Sequence, residues 1–207
     1  ICILKGFFKK KEINNLIKWV INFRKKGLKG NFKYNNKTKN HYKIVDKNIS
    51  SERPTKFVLH QFFLWNKEEN QKHQSLFEKY VRMRNIINNE EEYECIKFMK
   101  KYVSWISMLQ YRKGGDFLSP HTDNLNLQVI LSMSKLGKDF KKGGQYLIHD
   151  KYKHIYVEKY LDIGDVVIFP SKLTHGVYPI DPETKNKNGG RWILFSPFHK
   201  KVLLKNR

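Results

Sequence analysis

The chain is short of acidic residues and of cysteine, and it lacks any long apolar run. Its 207 residues include 19 aspartates and glutamates against 41 lysines and arginines, which gives a formal net charge of +22. Because Cys2 stands so near the end of the chain, we expect no structural disulfide between it and Cys95. This favours a reducing compartment such as the cytoplasm. No apolar stretch approaches the roughly 18 residues that a transmembrane helix needs, so no membrane span is predicted.

The excess of basic residues is unevenly distributed. Residues 1–102 carry a net charge of +14, residues 103–199 of +4 and residues 200–207 of +4. Positive charge on this scale is typical of proteins that bind nucleic acid or another polyanion. The chain is also rich in Asn as well as Lys, as happens when coding DNA is AT-rich. The basic first half therefore either docks an acidic partner or reflects composition alone.

Helical periodicity is confined to the first hundred residues. Apolar residues make up 40% of the chain and aromatic residues 14%, enough for the core of one domain. Helices are predicted over 10–26, 67–88 and 90–101, with a buried strand over 57–65 and a basic loop with one or two short strands over 24–48. The apolar residues at helical spacing on the first helix are Ile13, Leu16, Ile17, Val20 and Ile21.

Short β-rich segments follow residue 102, and paired glycines punctuate them. The predicted strands span 103–111, 126–134, 144–149, 154–157, 164–169, 174–180 and 191–198. Short strands at this spacing, with no helices between them, are typical of a barrel or sandwich. The predicted fold class is α+β, with an all-β core and N-terminal helices packed on one face. The predicted regions are an N-terminal helical and basic region (1–102), the core (103–199) and a basic tail (200–207).

Three residues in the second half form a candidate metal site. His121 and Asp123 stand two positions apart at a predicted strand end, where an extended chain places both side chains on the same side. His175 follows the predicted strand 164–169 after a turn. Two histidines and one carboxylate form the facial triad of non-haem Fe(II) sites, which leaves positions open for an oxoacid and O₂. A zinc hydrolase also uses His and Asp ligands, so the ligand set alone leaves the metal open.

Arg191 is a candidate anion-binding residue on a predicted strand with apolar neighbours. An arginine that points into a barrel requires an anionic partner, because an unpaired buried charge is costly. Its guanidinium group can bind a ligand carboxylate in a bidentate manner. The alternative is an ion pair with a structural Asp or Glu of the chain itself.

These segments resemble a known enzyme family. LQYRKGGDFLSPHTD, GGQYL, GDVVIFPSKLTHGVYPI and GGRWILFSP occur in this order. They are similar to the Fe(II)/2-oxoglutarate-dependent dioxygenases, and within them to the prolyl 4-hydroxylase-like branch. The resemblance covers roughly residues 100–199 and implies a double-stranded β-helix (jelly-roll) core. It implies that His121, Asp123 and His175 bind Fe(II).

The resemblance also implies how the cosubstrate is held. Arg191 would bind the distal carboxylate of 2-oxoglutarate, and the hydroxyl of Tyr111 would help to bind the same cosubstrate. Ser196 is a further candidate for that carboxylate. The implied reaction consumes O₂ and 2-oxoglutarate, releases succinate and CO₂, and can use ascorbate as a reductant. The implied product is a hydroxylated protein side chain or small molecule, and the residues do not name which.

Two other functions are consistent with parts of the sequence. An oxidative demethylase of nucleic acid fits the basic charge. That branch usually has a second Arg six residues after the first, where this chain has Pro197, and an Asn-x-Tyr segment where this chain has Leu109-Gln110-Tyr111. A non-enzymatic basic β-barrel that binds RNA fits residues 24–47, where aromatic residues between lysines can stack on bases. That hypothesis leaves the ordered His, Asp, His and Arg residues unexplained.

Overall fold

The computed structural model describes residues 1–30, 37–47, 51–96, 102–123, 126–151, 153–185 and 188–200. Within them the helices are α1 (Lys10–Lys26), α2 (Lys67–Asn70), α3 (Gln74–Ile87) and a 3-10 helix (Val157–Tyr160). The strands are β1 (Cys2–Leu4), β2 (Leu28–Lys29), β3 (His41–Lys47), β4 (Thr55–Phe62), β5 (Tyr102–Val103), β6 (Ile106–Tyr111), β7 (Phe117–His121), β8 (Leu127–Ser132), β9 (Gly144–His149), β10 (Lys153–Tyr156), β11 (Val166–Pro170), β12 (Thr174–Tyr178), β13 (Arg191–Phe195) and β14 (His199–Lys200). Most of the basic tail predicted for 200–207 lies outside the described residues.

One curled, mostly antiparallel sheet organises the fold. Its strands lie in the order β1-β11-β8-β13-β6-β4-β7-β12-β9-β10, and β3 pairs with β4 as a branch. Strands β6, β13, β8 and β11 form one half, β7, β12, β9 and β10 form the other, and β4 pairs with both β6 and β7. Side chains from both halves line one cavity. This is the double-stranded β-helix arrangement, so the predicted α+β fold is confirmed.

Successive side chains of a strand point to opposite faces of the sheet, so each one faces either the helices or the cavity. On β13, Trp192 and Leu194 pack in the core cluster under the helices, whereas Arg191 and Ile193 line the cavity. The same alternation holds on β4, β6 and β8. A shift of one residue in the register of these strands would therefore empty the cavity of its polar groups.

Helix α1 packs against the outer face of this sheet. Its bounds match the prediction for 10–26, and Ile13, Leu16 and Val20 are fully buried. Ile21, which was also expected on the apolar face, is 43% exposed. The difference arises because successive helical residues are about 100° apart, so the residue after Val20 turns away from the sheet.

The first hundred residues contribute strands as well as helices. Strand β1 pairs with β11, and β4 lies between β6 and β7, so the sheet crosses the boundary predicted at residue 102. The strand predicted over 57–65 corresponds to β4, and the short strands expected within 24–48 are β2 and β3. Residues 31–36, which hold part of the aromatic and lysine-rich stretch, lie outside the described residues. Strands β1 and β14 were not predicted, and β7 was expected only as the strand end at His121, with no bounds given to it.

The other two predicted helices differ from the structure. The segment 67–88 forms two helices, α2 and α3, with a turn between them. Residues 91–96, which were predicted as part of a helix over 90–101, form hydrogen-bonded turns. The Asn85 side-chain amide donates hydrogen bonds to three backbone carbonyls of this segment, which occupies acceptors that a helix would use. Residues 97–101 lie outside the described residues.

The described residues contain neither a disulfide nor a helix that could cross a membrane. Cys2 is exposed and Cys95 is buried, and no disulfide joins them. None of the helices that the structure describes is long and apolar enough to span a bilayer.

Gly190 occupies a backbone position that no other residue fits. Its φ is +105°, and a Cβ atom built there would lie 2.2 Å from the carbonyl oxygen of Tyr111. The neighbouring Gly189 has a φ of +75° but meets nothing closer than 3.8 Å. We expect Gly190→Ala to lower the free energy of unfolding by about 1–3 kcal/mol more than Gly189→Ala, because only the first adds a steric clash to the positive φ. Urea unfolding of both variants measures this difference. Equal losses in the free energy of unfolding would show that the strand beside Gly190 moves to accommodate the added Cβ atom without destabilising the fold.

Candidate active site

The three predicted metal ligands lie together at one place in the sheet. His121 ends β7, His175 lies in β12, and the two residues face each other directly in the register of these strands. Asp123 follows β7 by two residues. The Nε2 atoms of His121 and His175 lie 3.7 Å and 3.4 Å from Asp123 Oδ2, and the ring centroids are 4.2 Å apart. The antiparallel pairing of β7 with β12 therefore assembles ligands that are far apart in the sequence.

Backbone carbonyl groups orient both imidazole rings. Nδ1 of His121 lies 2.9 Å from the carbonyl oxygen of Ser119, and Nδ1 of His175 lies 2.9 Å from that of Leu173. Because a carbonyl oxygen can only accept a hydrogen bond, Nδ1 is the protonated nitrogen in each neutral ring. Nε2, which faces Asp123, is then the atom available to a metal.

Asp123 is held by both its side chain and its backbone. Gln128 Nε2 donates a hydrogen bond of 2.6 Å to Oδ2, and Arg53 Nη1 lies 3.9 Å from Oδ1. The Asp123 N–H donates to the Ser171 carbonyl, and the Ser171 hydroxyl donates to the Asp123 carbonyl. Burial acts to raise the pKa of Asp123, but its interactions with the two histidines outweigh burial and hold the pKa well below its ordinary value. The carboxyl group is thus ionised, as metal binding requires.

The spacing of these donor atoms fits a transition-metal cation. The candidate ligand atoms of the three residues lie within 4.8 Å of one another. Ligand atoms about 2.1 Å from one cation, and at right angles to each other, are about 3 Å apart, so small side-chain rotations bring all three to bonding distance. Two imidazole nitrogens and one carboxylate are the donor set of non-haem Fe(II) sites with open coordination positions.

A cavity of about 400 Å³ adjoins these ligands. Its apolar walls come from both halves of the sheet and include Leu59, Leu109, Leu118, Ile130, Val177 and Ile193. Polar and charged side chains, among them Arg191 and Tyr111, interrupt this surface. Apolar walls with a few convergent polar groups are typical of a small-molecule site.

Arg191 is the buried cation of this cavity, with 1% of its surface exposed. Its Nε donates to Glu158 Oε2 at 2.7 Å and its Nη2 donates to Gln145 Oε1 at 3.1 Å. Nη1 is buried and has no hydrogen-bond partner in the part of the chain that the structure describes. The ion pair with a structural glutamate, which was the alternative for Arg191, is thus present but leaves one nitrogen unsatisfied. A ligand carboxylate is a suitable acceptor for it.

Tyr111 lies beside this arginine. The two residues face each other in the register of β6 and β13, and the guanidinium carbon of Arg191 is 5.7 Å from the centroid of the Tyr111 ring. Burial raises the pKa of the Tyr111 hydroxyl above its ordinary value, with the charge of Arg191 opposing the shift. The hydroxyl therefore remains protonated and can donate a hydrogen bond to an anion in the cavity.

The structure places Ser196 away from the cavity, which contradicts its predicted role. Its hydroxyl accepts a hydrogen bond of 3.0 Å from Arg84 Nη1 and lies 2.6 Å from the hydroxyl of Ser104. Residues of β13 alternate between the two faces, and Ser196 falls in phase with Trp192 on the helix side rather than with Arg191. Ser196 therefore stabilises the contact between α3 and the end of β13.

Among the polar residues that line the cavity, Arg53, Gln128 and Gln145 were not predicted from the sequence, and neither was Glu158, the ion-pair partner of Arg191. Gln145 stands in the GGQYL segment. The two glycines before it are the one sequence feature that marked this part of the cavity. Gly144 has a φ of +117°, and a Cβ atom there would lie 2.6 Å from Glu158 Cγ. The absence of a side chain at Gly144 allows the Glu158 carboxylate to reach the buried arginine.

Solved structures with a similar fold include two prolyl hydroxylases and a protein solved with 2-oxoglutarate. The chain is similar to a prolyl-4-hydroxylase of Pseudomonas putida, with a TM-score of 0.59 and 12% identity over 97% of this chain and 92% of that chain. A prolyl hydroxylase of Trichoplax adhaerens, solved with a hypoxia inducible factor oxygen degradation domain peptide fragment, has a TM-score of 0.55 and 14% identity over 99% and 85%. EvdO2 of Micromonospora carbonacea var. aurantiaca, solved with 2-oxoglutarate, has a TM-score of 0.51 and 10% identity over 96% and 87%. No family model and no curated protein matches the sequence. The chain thus has the fold of the 2-oxoglutarate oxygenases.

Proposed function

We propose that the chain is an Fe(II)- and 2-oxoglutarate-dependent dioxygenase that hydroxylates a C–H bond of a protein side chain or a small molecule. Overall, the substrate, O₂ and 2-oxoglutarate become hydroxylated substrate, succinate and CO₂. One observation carries this proposal: a His-Asp-His ligand set lines the same cavity as a buried arginine whose Nη1 has no hydrogen-bond partner among the described residues. If the three ligands and the arginine only stabilised the fold, their occurrence in one cavity would have no explanation.

The chain's own residues would hold and orient the metal. His121, Asp123 and His175 are the ligands, and Gln128 fixes the Asp123 carboxylate through its 2.6 Å hydrogen bond. When bound, Fe(II) supplies the activation of O₂ that protein side chains cannot provide. Ascorbate would serve as the reductant that keeps the metal ferrous.

A second group of residues would hold 2-oxoglutarate. Arg191 binds the distal carboxylate through Nη1, while Glu158 and Gln145 hold its other nitrogens and prevent the guanidinium plane from turning. Tyr111 offers its hydroxyl as another donor. The apolar walls exclude water from the reacting centre, which strengthens these interactions.

A peptide is the prime substrate that we favour for this cavity, and a small molecule is the alternative. The similar enzyme of Trichoplax adhaerens was solved with a peptide fragment.

Succinate release from 2-oxoglutarate tests the proposal. With Fe(II) and ascorbate but no added substrate, the protein is expected to release succinate slowly, and EDTA is expected to abolish the release. Zn(II) should not replace Fe(II), because zinc has no redox chemistry. Mass spectrometry of the products measures this. The absence of both succinate and bound iron would refute the proposal, and Zn(II)-dependent ester hydrolysis in its place would favour the zinc hydrolase alternative.

A further inference from the structure

The mouth of the cavity carries three basic side chains. Lys43 and Lys47 lie on β3, Arg53 lies between β3 and β4, and all three line the cavity. Lys43, Val45 and Lys47 occupy alternate positions of the strand, so the period of two places them on the same face. The cations are thus an extension of the cavity wall rather than scattered surface charges.

These cations have little internal compensation. Asp123 is the only carboxylate that lines the cavity with them in the described residues, and it lies 3.9 Å from Arg53. Neither Lys43 nor Lys47 has an ion pair with a residue that the structure describes. Burial, and then the charge of Lys47, lowers the pKa of Lys43. An anion at this place would relieve the repulsion between the two lysines.

The edge of β3 beside these lysines is open in the described residues. On one side β3 pairs with β4 along its whole length, from His41 to Lys47. On its other side β2 pairs only with the first two residues, so no described strand pairs with β3 from Lys43 to Lys47. Such an edge presents backbone N–H and C=O groups to which an extended peptide can add as a new strand.

Two strand spacings separate this edge from the strand that ends in a candidate metal ligand. Thr55 of β4 pairs with Lys47 on one side and with Leu118 of β7 on the other. Neighbouring strands are about 4.8 Å apart, so Lys47 lies about 10 Å from the strand that ends in His121. A peptide on the edge of β3 would lie one strand further out, about 14 Å from that strand, and would share the cavity face that Lys43, Val45 and Lys47 line.

We infer that the cavity mouth binds an acidic peptide segment in an extended conformation, laid along the edge of β3 with its carboxylates on Lys43, Lys47 and Arg53. This deepens the proposed function and rests on it, because the bound segment would present the C–H bond to be hydroxylated. The open strand edge favours a peptide over nucleic acid, since a nucleic acid has no backbone that can continue a sheet.

Fluorescence anisotropy with labelled probes tests the inference. The probes are three peptides of alternating residues, Glu with Thr, Gln with Thr and Lys with Thr, and an oligothymidylate of similar length. We expect the Glu peptide to bind most tightly, and Lys43→Gln/Lys47→Gln/Arg53→Gln to weaken it about tenfold. The matched control Lys11→Gln/Lys18→Gln/Lys25→Gln removes the same charge from exposed positions of α1 and should bind the Glu peptide nearly as wild type does.

Three results would overturn the inference. They are equal binding of the Glu and Gln peptides, an equal loss in the α1 control, and tighter binding of the oligothymidylate than of the Glu peptide, which would indicate a nucleic acid. Succinate release without substrate separates this inference from the proposed function. A wild-type protein that releases no succinate would contradict the proposed function and leave the anisotropy result valid. A protein that releases succinate but binds the Glu and Gln peptides equally would contradict the inference alone.

Discussion

Replacing Asp123 by Ala is expected to reduce iron-dependent succinate release by at least about a hundredfold. Changes to residues that only orient metal ligands cost about 10- to 100-fold, so the loss of a ligand should cost more. The loss follows from removing the single anionic ligand between His121 and His175. Metal analysis of the purified variant after incubation with Fe(II), together with succinate measured by mass spectrometry, gives both readouts.

Asp150→Ala is the matched control for this prediction, because Asp150 is an exposed carboxylate in the turn between β9 and β10. It should keep the wild-type iron content and succinate release. Unchanged iron binding and turnover in Asp123→Ala would mean that the three residues are not the metal site.

Replacing Arg191 by Gln is expected to raise the KM for 2-oxoglutarate by about 30- to 1,000-fold, which corresponds to about 2–4 kcal/mol. Truncating one partner of a buried, hydrogen-bonded charge pair has effects of this size. Iron binding should be nearly unchanged, because Arg191 makes no hydrogen bond or ion pair with His121, Asp123 or His175. Initial rates of succinate formation at varied 2-oxoglutarate concentration give the KM.

The single variant also leaves Glu158 as an unpaired buried carboxylate, which by itself destabilises a fold. The double variant Glu158→Gln/Arg191→Gln removes both charges and should recover most of the stability lost in Arg191→Gln, while the KM for 2-oxoglutarate stays high. If the double variant restored the KM as well, Arg191 would have only a structural role.

The candidate metal site was predictable because its residues have local signals. His121 and Asp123 are two apart in an extended chain, and the Arg191 segment has the two-residue period of a strand. That same period also excludes Ser196, which is five positions from Arg191 and so faces the helices. The resemblance suggested Ser196, but the alternation of β13 decides its position.

The remaining features depend on contacts that are distant in sequence. Glu158 lies on a 3-10 helix 33 residues before Arg191, and nothing in its own neighbourhood marks it as the partner of a buried arginine. Strand β1 has only three residues and is ordered through its pairing with β11. The turns at 91–96 depend on the Asn85 side chain, a tertiary effect that outweighs local helical propensity.

The fold brings basic residues of the first half of the chain next to the site formed by the second half. By sequence, the net positive charge belongs to the first half of the chain and the proposed metal ligands belong to the second. Since β4 is inserted between β6 and β7, the hairpin of β3 and β4 carries Lys43 and Lys47 of the first half to the mouth of the cavity. Part of the basic excess is therefore placed where a substrate would enter.

Calorimetric titration of 2-oxoglutarate into the protein under anaerobic conditions tests the central claim most directly. In the presence of Fe(II), we predict one molecule bound per chain, with binding much weaker after EDTA treatment and in the Glu158→Gln/Arg191→Gln variant. These results would place the metal and the cosubstrate in one cavity. Failure of the Fe(II)-loaded wild-type protein to bind 2-oxoglutarate, or binding that is indifferent both to the metal and to Arg191, would contradict the account.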